Sequence, residues 1–209
     1  MLHAAAMRLA AAVLPGAIAR LPNTGSAVYL TFDDGPDPEI TPWVLDQLSA
    51  HGAHATFFCL GQQAVRHPEL LARIRREGHA VGHHTWDHPN GWRTADRTYL
   101  ANVMRGHEAV GGHLFRPPYG RICPFQARAV KKHFRTVLWD VLAGDFRPGA
   151  DGLQVAQHVL LHSLPGSIIV FHDNAQSFTC LRTALPAVLT GFADKNFACR
   201  SIPTNVTTL

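Results

Sequence analysis

The sequence predicts an α/β fold in which a parallel sheet is covered by helices. Three observations support this fold class. From residue 26 onward, short apolar runs alternate with helical segments about seven times. The helical segments tend to have proline near their starts and glycine near their ends. The 209 residues, 46% apolar and 16% charged, suit a single domain with a sizeable core. An open doubly wound sheet and a barrel both satisfy the alternation.

The first half of the chain alternates regularly between the two element types. Residues 27–32 (AVYLTF) predict a strand, because the run is apolar and rich in residues that favour β-structure. Residues 41–52 predict a helix with Thr41 as N-cap, Pro42 in the first turn and Gly52 at the C-cap. The next predicted elements are a strand at 54–61, a helix at 67–78 and a strand at 79–84.

The second half repeats the pattern with shorter strands. Residues 135–142 (RTVLWDVL) are predicted as one continuous strand, because five of the eight residues are apolar and the run is short. The other predicted elements are a helix near 95–111, a strand ending in 113–120, a helix at 124–134, a helix at 153–163, a strand at 166–174, a helix at 181–195 and an extended piece at 198–206.

Residues 1–25 form a lead-in segment before the predicted domain at residues 26–209. The stretch 7–20 fits a weak signal peptide, because an apolar run ends in Ala-Ile-Ala before Arg20, and it equally fits a short helix. The cell envelope, the periplasm and the cytoplasm of a bacterial cell therefore all stay open as locations. No later apolar run approaches the ~18 residues of a transmembrane helix.

Net charge and cysteine spacing bear on the kind of partner and on the redox state of the chain. A net charge of +4 with a pI near 9.1 is compatible with a solvated basic surface or with an anionic partner such as a cell-wall polymer. No basic motif is interleaved with aromatic residues, so a nucleic-acid partner is not expected. The four cysteines form no CxxC pair, and a Cys180–Cys199 disulfide stays open.

The unusual polar residues share one position, just after the predicted strands. The carboxyl ends of parallel strands meet at one face of an α/β fold, where active sites are built. The sequence therefore predicts one site assembled from several loops. The segments are TFDDGP (31–36), HHTWDH (83–88), RPPYG (116–120), GDF (144–146) and HDN (172–174).

Three of these residues predict a metal site. His84 and His88 are four apart, which on a helical turn places both imidazoles on one face. Neutral imidazoles bind zinc and similar divalent ions, and Asp34 is the natural third ligand. Two histidines and one carboxylate leave coordination positions open, which is the pattern of a catalytic site.

The neighbouring residues predict acid–base chemistry around that metal. A cation bound by Asp34 leaves Asp33 free to act as a base toward a water molecule. Arg116 is placed to pair with Asp33 and keep it ionised, although capping a loop is the simpler role for an arginine there. Two prolines stiffen the loop that ends at Tyr119, whose main-chain N–H is a candidate oxyanion donor.

His172 and Asp145 each end a predicted strand. A nearby carboxylate raises the pKa of a histidine, and this would suit His172 to work as a general acid. A lone histidine at a strand end is as often structural as catalytic. Because Asp145 also ends a strand, however, we predict that His172 is a general acid and that Asp145 raises its pKa.

Taken in order, these segments resemble the five motifs of the polysaccharide deacetylases, the NodB-homology domains of carbohydrate esterase family 4. The resemblance covers about residues 28–189. It implies a distorted, TIM-like (β/α)₇ barrel. It also implies metal-dependent removal of N-acetyl, or less often O-acetyl, groups from an acetylated glycan such as peptidoglycan or chitooligosaccharide. The segments are TFDDGP, HTWDH, RPPYG, the strand-end Asp145 and IIVFH.

The resemblance also implies roles for individual residues. Zinc is the expected ion, with cobalt and nickel as alternatives. Two residues depart from the family pattern, since Phe146 stands where a tryptophan is usual and His83 where an asparagine is often found. The implied roles are Asp33 as base, Asp34, His84 and His88 as metal ligands, Arg116 as the residue that orients the base, Tyr119 as oxyanion donor, His172 as acid and Asp145 as its tuning partner.

Two other function classes stay open. One is an amidohydrolase or deformylase that acts on a small non-glycan substrate, and the other is a glycan-binding domain whose site no longer turns over. An open rim lined by aromatic side chains favours a polymer, whereas a closed pocket favours a small molecule. The sequence does not predict the oligomeric state.

Overall fold

The computed structural model describes residues 2–22 and 25–204. Residues 1, 23–24 and 205–209 lie outside this part, as do the portions of the predicted segments that fall on them. The strands are β1 (Ala27–Asp33), β2 (Thr56–Cys59), β3 (Ala80–His83), β4 (Leu114–Phe115), β5 (Arg135–Thr136), β6 (Val141–Leu142), β7 (Ile168–His172) and β8 (Ala198–Cys199). The helices are α1 (Leu2–Val13), α2 (Ile40–Ala50), α3 (Gly61–Arg66), α4 (Pro68–Arg76), α5 (Asp96–Val110), α6 (Pro124–Val130), α7 (Gly152–His162) and α8 (Phe178–Asp194).

Seven parallel strands curl into a half-barrel in the order β5–β4–β3–β2–β1–β7–β6. The short strand β8 adds to this sheet by parallel pairing with β1. Parallel neighbours need crossover connections, and the helices that supply most of them cover the sheet. The predicted single-domain α/β fold and the distorted (β/α)₇ TIM-like barrel are confirmed.

Strand β1 lies near the middle of the sheet and is buried on both faces. Phe32 stacks between Phe57 and Phe171, with ring centroids 5.1 and 6.1 Å apart. Burial of each such side chain stabilises the fold by roughly 1.5–3 kcal/mol. Because side chains alternate along a strand, Thr31 and Asp33 point to the opposite face from Phe32. This packing holds both polar residues rigidly at one end of the sheet.

The N-terminal segment pairs with backbone next to strands β5 and β7. Ile18 pairs in parallel with Val137, just after β5, and Arg20 pairs antiparallel with Ser167, just before β7. The Arg20 guanidinium also donates to the carbonyl oxygen of Pro165 at 2.7 Å. Residues 18–20 therefore belong to the packed body of the protein, whereas cleavage of the lead-in segment stays a prediction.

The prediction of one strand at residues 135–142 is wrong, because the structure divides this run into β5 and β6. Between them, the backbone of Leu138 donates to Ile18 at 2.7 Å instead of continuing the sheet. The buried Asp140 carboxylate accepts hydrogen bonds from Ser167 Oγ and Ile168 N at 2.9 and 2.8 Å. The break in the strand could not be predicted, because these partners are remote from residues 135–142 in the sequence.

None of the helices in residues 2–22 and 25–204 combines the length and apolar character that crossing a membrane requires. All four cysteines are free thiols, including Cys180 and Cys199, whose disulfide the sequence left open.

Candidate active site

The strand ends bring the polar segments to one rim of the half-barrel. Asp33, the last residue of β1, lies beside His172, the last residue of β7. His83 at the end of β3 lies beside Phe115 at the end of β4, directly before Arg116. The loops that follow these strands therefore face one another, which is the arrangement that the sequence predicted.

Asp34, His84 and His88 lie together beyond β1 and β3. Asp34 Oδ1 is 3.8 Å from His84 Nε2 and 3.5 Å from His88 Nε2. One ligand atom from each of the three residues lies within 4.8 Å of the other two. Ligand bonds to zinc of about 2.0–2.2 Å suit an ion placed between atoms at such separations. The three predicted ligands are thus brought together, and they could hold a divalent metal.

The state of each donor atom also fits a metal ion. Among the described residues, none donates a hydrogen bond to the buried oxygen Asp34 Oδ1. His84 Nδ1 lies 2.7 Å from the carbonyl oxygen of Arg116, which can only accept, so Nδ1 has the proton and Nε2 keeps its lone pair. Burial, with the neighbouring His88, lowers the pKa of His84 to about 3 and keeps the ring neutral.

The predicted helical turn at residues 84–88 does not form, and a loop with unusual backbone angles replaces it. The His84 and His88 rings still approach each other, with centroids 4.9 Å apart. Left-handed angles cost on the order of 1–3 kcal/mol each for non-glycine residues and cluster at functional sites. The site residues with such φ values are Asp34 (80°), Thr85 (70°), His88 (68°) and Tyr119 (59°).

Asp33 forms a buried ion pair with Arg116. Arg116 Nη1 donates to Asp33 Oδ1 at 2.6 Å, and both residues are nearly or fully inaccessible to solvent. The same guanidinium donates to Thr31 Oγ1 and to the carbonyl oxygens of Val137 and Leu138. Removing one partner of such a desolvated pair typically costs about 3–5 kcal/mol. Arg116 therefore fixes the orientation of the Asp33 carboxylate.

The second carboxylate oxygen of Asp33 faces His84, one of the three predicted metal ligands. Asp33 Oδ2 is 3.9 Å from His84 Nε2, too far for a hydrogen bond. Although the two residues are adjacent in sequence, Asp33 pairs with Arg116, whereas Asp34 Oδ1 lies near His84 and His88. The arrangement leaves Asp33 Oδ2 able to accept a proton beside the metal position.

His172 and Asp145 form a second buried pair on the same rim. The Nδ1 atom of His172 lies 2.9 Å from Asp145 Oδ1, and Asp145 Oδ2 accepts from the His172 backbone at 2.8 Å. Burial alone would lower the pKa of His172. The hydrogen bond and charge of Asp145, with Asp33 and Asp34, outweigh burial and raise this pKa to about 9. The protonated ring then offers Nε2 as a proton donor, and its neighbour Phe146 packs edge-on at 5.1 Å.

Tyr119 lies in a short 3₁₀ turn, Pro118–Gly120, beyond β4. The residue is 55% exposed, and its ring stands edge-on to His88, with centroids 4.5 Å apart. This contact places the turn beside the metal position. The assignment of the Tyr119 N–H as oxyanion donor stays a prediction.

Of the two departures from the family pattern, Phe146 packs against His172, as described above, and His83 is accommodated in the core. His83 is fully buried against Phe115 and Phe134, and burial lowers its pKa to about 3. It is therefore a neutral packing residue beneath the site. Trp139, which precedes the usual tryptophan position, is buried with its ring 5.7 Å from the Arg116 guanidinium.

Sequence reasoning missed Asn174, which contacts the predicted ligand Asp34. Asn174 Nδ2 donates to Asp34 Oδ2 at 2.8 Å. Its own Oδ1 accepts from Ser177 N at 3.0 Å, which fixes the orientation of the amide. Asp34 Oδ2 is therefore occupied, and Oδ1 is the oxygen left facing the histidines.

Sequence reasoning also missed Asp173, which joins the loops after β1 and β7. Its carboxylate accepts from Gly35 N at 3.2 Å and from Thr41 Oγ1 at 2.5 Å. Thr41 is thus not the predicted N-cap, because α2 begins at Ile40 and the threonine hydroxyl is used elsewhere. A Cβ on Gly35 would lie 2.2 Å from Asp173, so only glycine fits there.

Burial of the Asp173 carboxyl group favours its neutral form. Burial raises the pKa of Asp173 to about 8, with the Thr41 hydrogen bond opposing and the charge of Asp34 adding to the shift. The only sequence signal for both missed residues was their place directly after His172 in the HDN segment.

The chain is similar to several characterised deacetylases. It is 39% identical to a peptidoglycan-N-acetylglucosamine deacetylase of Bacillus cereus over 159 residues, which are 73% of this chain and 58% of that relative. It is 33% identical to a chitooligosaccharide deacetylase of Azorhizobium caulinodans over 212 residues, with 90% and 98% of the two chains covered. The chain thus spans nearly all of one relative and little more than half of the other.

The fold is also similar to that of a deacetylase of known structure. A crystal structure of the Bc1960 peptidoglycan N-acetylglucosamine deacetylase superposes with a TM-score of 0.85 at 32% identity, covering 90% of this chain and 91% of that one. The family model for polysaccharide deacetylases matches residues 20–135, more than half of the chain. The chain therefore belongs to the polysaccharide deacetylase family.

Proposed function

We propose that the protein is a metal-dependent hydrolase that removes N-acetyl groups from an acetylated glycan such as peptidoglycan or chitooligosaccharide. The observation that supports this proposal most is that two adjacent carboxylates have different partners. Asp33 is paired with buried Arg116, while Asp34 turns one unpartnered oxygen toward His84 and His88. The names of the similar proteins support an acetylated glycan as the substrate class.

A divalent ion held by Asp34, His84 and His88, with zinc proposed ahead of cobalt or nickel, would polarise the acetyl carbonyl and acidify a water molecule. Asp33 Oδ2 accepts a proton from the water as its oxygen bonds to the carbonyl carbon. Arg116 holds the Asp33 carboxylate in a fixed orientation for this step. The Tyr119 N–H then stabilises the negative charge that develops on the carbonyl oxygen.

His172 completes the reaction by protonating the nitrogen of the departing sugar amine. The C–N bond breaks, and acetate and a free amine are the products. Asp145 holds His172 Nδ1, so the proton leaves from Nε2. An amine is a poor leaving group without that proton. The raised pKa of His172 favours the protonated ring that this step requires.

The shape of the rim favours a polymer over a small amide. Tyr119 and Trp92 expose 55% and 63% of their surfaces, and both are linked through Arg121 to the loop beside His88. Exposed aromatic side chains that gather in one patch mark a binding surface, whereas single exposed residues do not. An open aromatic rim of this kind suits a chain of sugar rings.

Acetate release from chitooligosaccharides and peptidoglycan fragments tests the proposal. The wild-type protein should release acetate, lose the activity on chelation and regain it with zinc or cobalt. The Asp33→Asn variant serves as the control for contaminating activity. Turnover of small amides or formamides alone would support the amidohydrolase alternative. Metal-independent glycan binding without turnover would support the binding domain.

A further inference from the structure

Trp92 lies on the rim beside the candidate active site and is exposed yet held in place. Its backbone N–H donates to Asn90 Oδ1 at 3.0 Å, and its indole Nε1 donates to the carbonyl oxygen of Ile122 at 3.3 Å. A tryptophan that exposes 63% of its surface gains little from burial. The two hydrogen bonds fix the backbone and the indole ring, so the exposed ring is a rigid surface on which a ligand can pack.

The loop before Trp92 is itself locked onto the neighbouring loop. The fully buried Gln126 donates to the carbonyl oxygen of Gly91 at 3.0 Å and to Asp96 Oδ1 at 2.8 Å. A Cβ on Gly91 would lie 2.5 Å from the carbonyl oxygen of Arg121, so the two backbones touch. The indole ring is therefore fixed relative to Arg121.

Arg121 extends the surface toward the metal ligands. Its guanidinium lies 5.1 Å from the centroid of the Trp92 ring and 5.8 Å from that of Tyr119. Tyr119 in turn contacts His88. Within residues 2–22 and 25–204, no carboxylate forms an ion pair with Arg121. A half-buried guanidinium with free N–H donors beside two aromatic rings matches a carboxylate on a ring-shaped ligand.

We propose that Trp92 and Arg121 form a subsite for a sugar that bears a carboxylate, next to the sugar whose acetyl group is removed. The Trp92 ring stacks on the sugar, and the Arg121 guanidinium pairs with the carboxylate. This inference rests on the proposed function and names its substrate class, a glycan in which acetamido sugars alternate with acidic sugars. N-acetylmuramic acid, with its lactyl carboxylate, is such a sugar, whereas chitooligosaccharides are neutral.

Charge-matched variants separate this subsite from general electrostatic attraction. Arg121→Gln is compared with Arg128→Gln, which removes the same charge from an exposed position on α6. The two substrates are chitotetraose and an N-acetylglucosamine–N-acetylmuramic acid tetrasaccharide. Arg121→Gln should lower kcat/KM for the acidic tetrasaccharide about tenfold, mainly through KM, and change that for chitotetraose less than about twofold. Arg128→Gln should leave both values within about twofold of wild type.

Trp92→Ala provides the second arm, because stacking does not depend on the carboxylate. It should lower kcat/KM for both substrates several-fold, and Trp92→Phe should restore part of the loss. A tetrasaccharide with its carboxylates converted to amides should respond to Arg121→Gln as chitotetraose does. Equal effects of Arg121→Gln on acidic and neutral substrates, or none on either, would overturn the subsite.

Binding by metal-free protein distinguishes failure of the subsite from failure of the proposed function. In titration calorimetry with chelator present, the acidic tetrasaccharide should bind wild type about tenfold more tightly than Arg121→Gln. If no substrate is turned over but this difference is found, the subsite stands and the proposed hydrolysis fails. If acetate is released but the difference is absent in binding and in kcat/KM, the hydrolysis stands and the subsite is overturned.

Discussion

At the scale of single residues, the site depends on which oxygen of each carboxylate is already engaged. Asp34 Oδ2 is occupied by Asn174 and Asp33 Oδ1 by Arg116, which leaves one free oxygen on each side chain facing the same space. A hydrogen bond to the outer oxygen of a ligand orients it for the metal. Asn174 is thus expected to position Asp34 without touching the substrate.

Replacing Asn174 with alanine should weaken metal binding about tenfold, the lower end of the usual effect of removing a partner that orients a ligand. Chelator competition with zinc or cobalt measures the change. Asn174→Asp is the matched variant, because it keeps the acceptor for Ser177 N but cannot donate to Asp34. An unchanged metal affinity in Asn174→Ala, with the melting temperature also unchanged, would contradict the assignment.

Asp145 is expected to set the alkaline limb of the pH profile. His172, the proposed acid, must be protonated to work, and Asp145 helps to raise its pKa to about 9. Asp145→Asn removes the opposing charge, so burial dominates and the pKa falls. The alkaline limb of kcat should then move to lower pH by about 1–2 units. Asp194→Asn, at an exposed position, should leave it in place. A limb that does not move in Asp145→Asn would contradict the role of Asp145.

At the scale of elements, the loop after β7 organises the loop after β1. Three consecutive residues, the last of β7 and the first two of this loop, contact different partners. His172 pairs with Asp145, Asp173 accepts from Gly35, and Asn174 donates to Asp34. Contacts of this kind join residues about 138–140 positions apart. Parallel pairing of β1 and β7 makes them possible, because it places the two loops side by side.

Asp173 should matter more for its hydrogen bonds than for its charge, because burial raises its pKa to about 8 and favours the neutral form. Asp173→Ala leaves Gly35 N and the Thr41 hydroxyl without an acceptor and should lower the free energy of unfolding by about 2–4 kcal/mol. Asp173→Asn keeps the shape and an acceptor and should recover most of that loss. Denaturant unfolding measures both, and an equal loss in the two variants would show that the charge is required.

At the scale of the whole molecule, the strand ends explain why so much of the site could be predicted. Each predicted site residue follows a recognisable apolar run, and parallel strands necessarily gather their carboxyl ends. Asp173, Asn174 and the pairing of Ile18 could not be predicted, because their partners are remote in sequence and leave no periodic pattern. The loop geometry at His88 was missed because left-handed angles at a non-glycine residue have no reliable sequence signal.

The division of work between Asp33 and Asp34 is the central claim, and metal affinity measured beside acetate release tests it most directly. Asp34→Asn should lose at least about tenfold in zinc affinity and the activity with it. Asp33→Asn should bind zinc within about threefold of wild type, yet release acetate about 10²–10⁴-fold more slowly. The claim would be contradicted if Asp33→Asn lost the metal as Asp34→Asn does, or if it bound zinc normally and kept its activity.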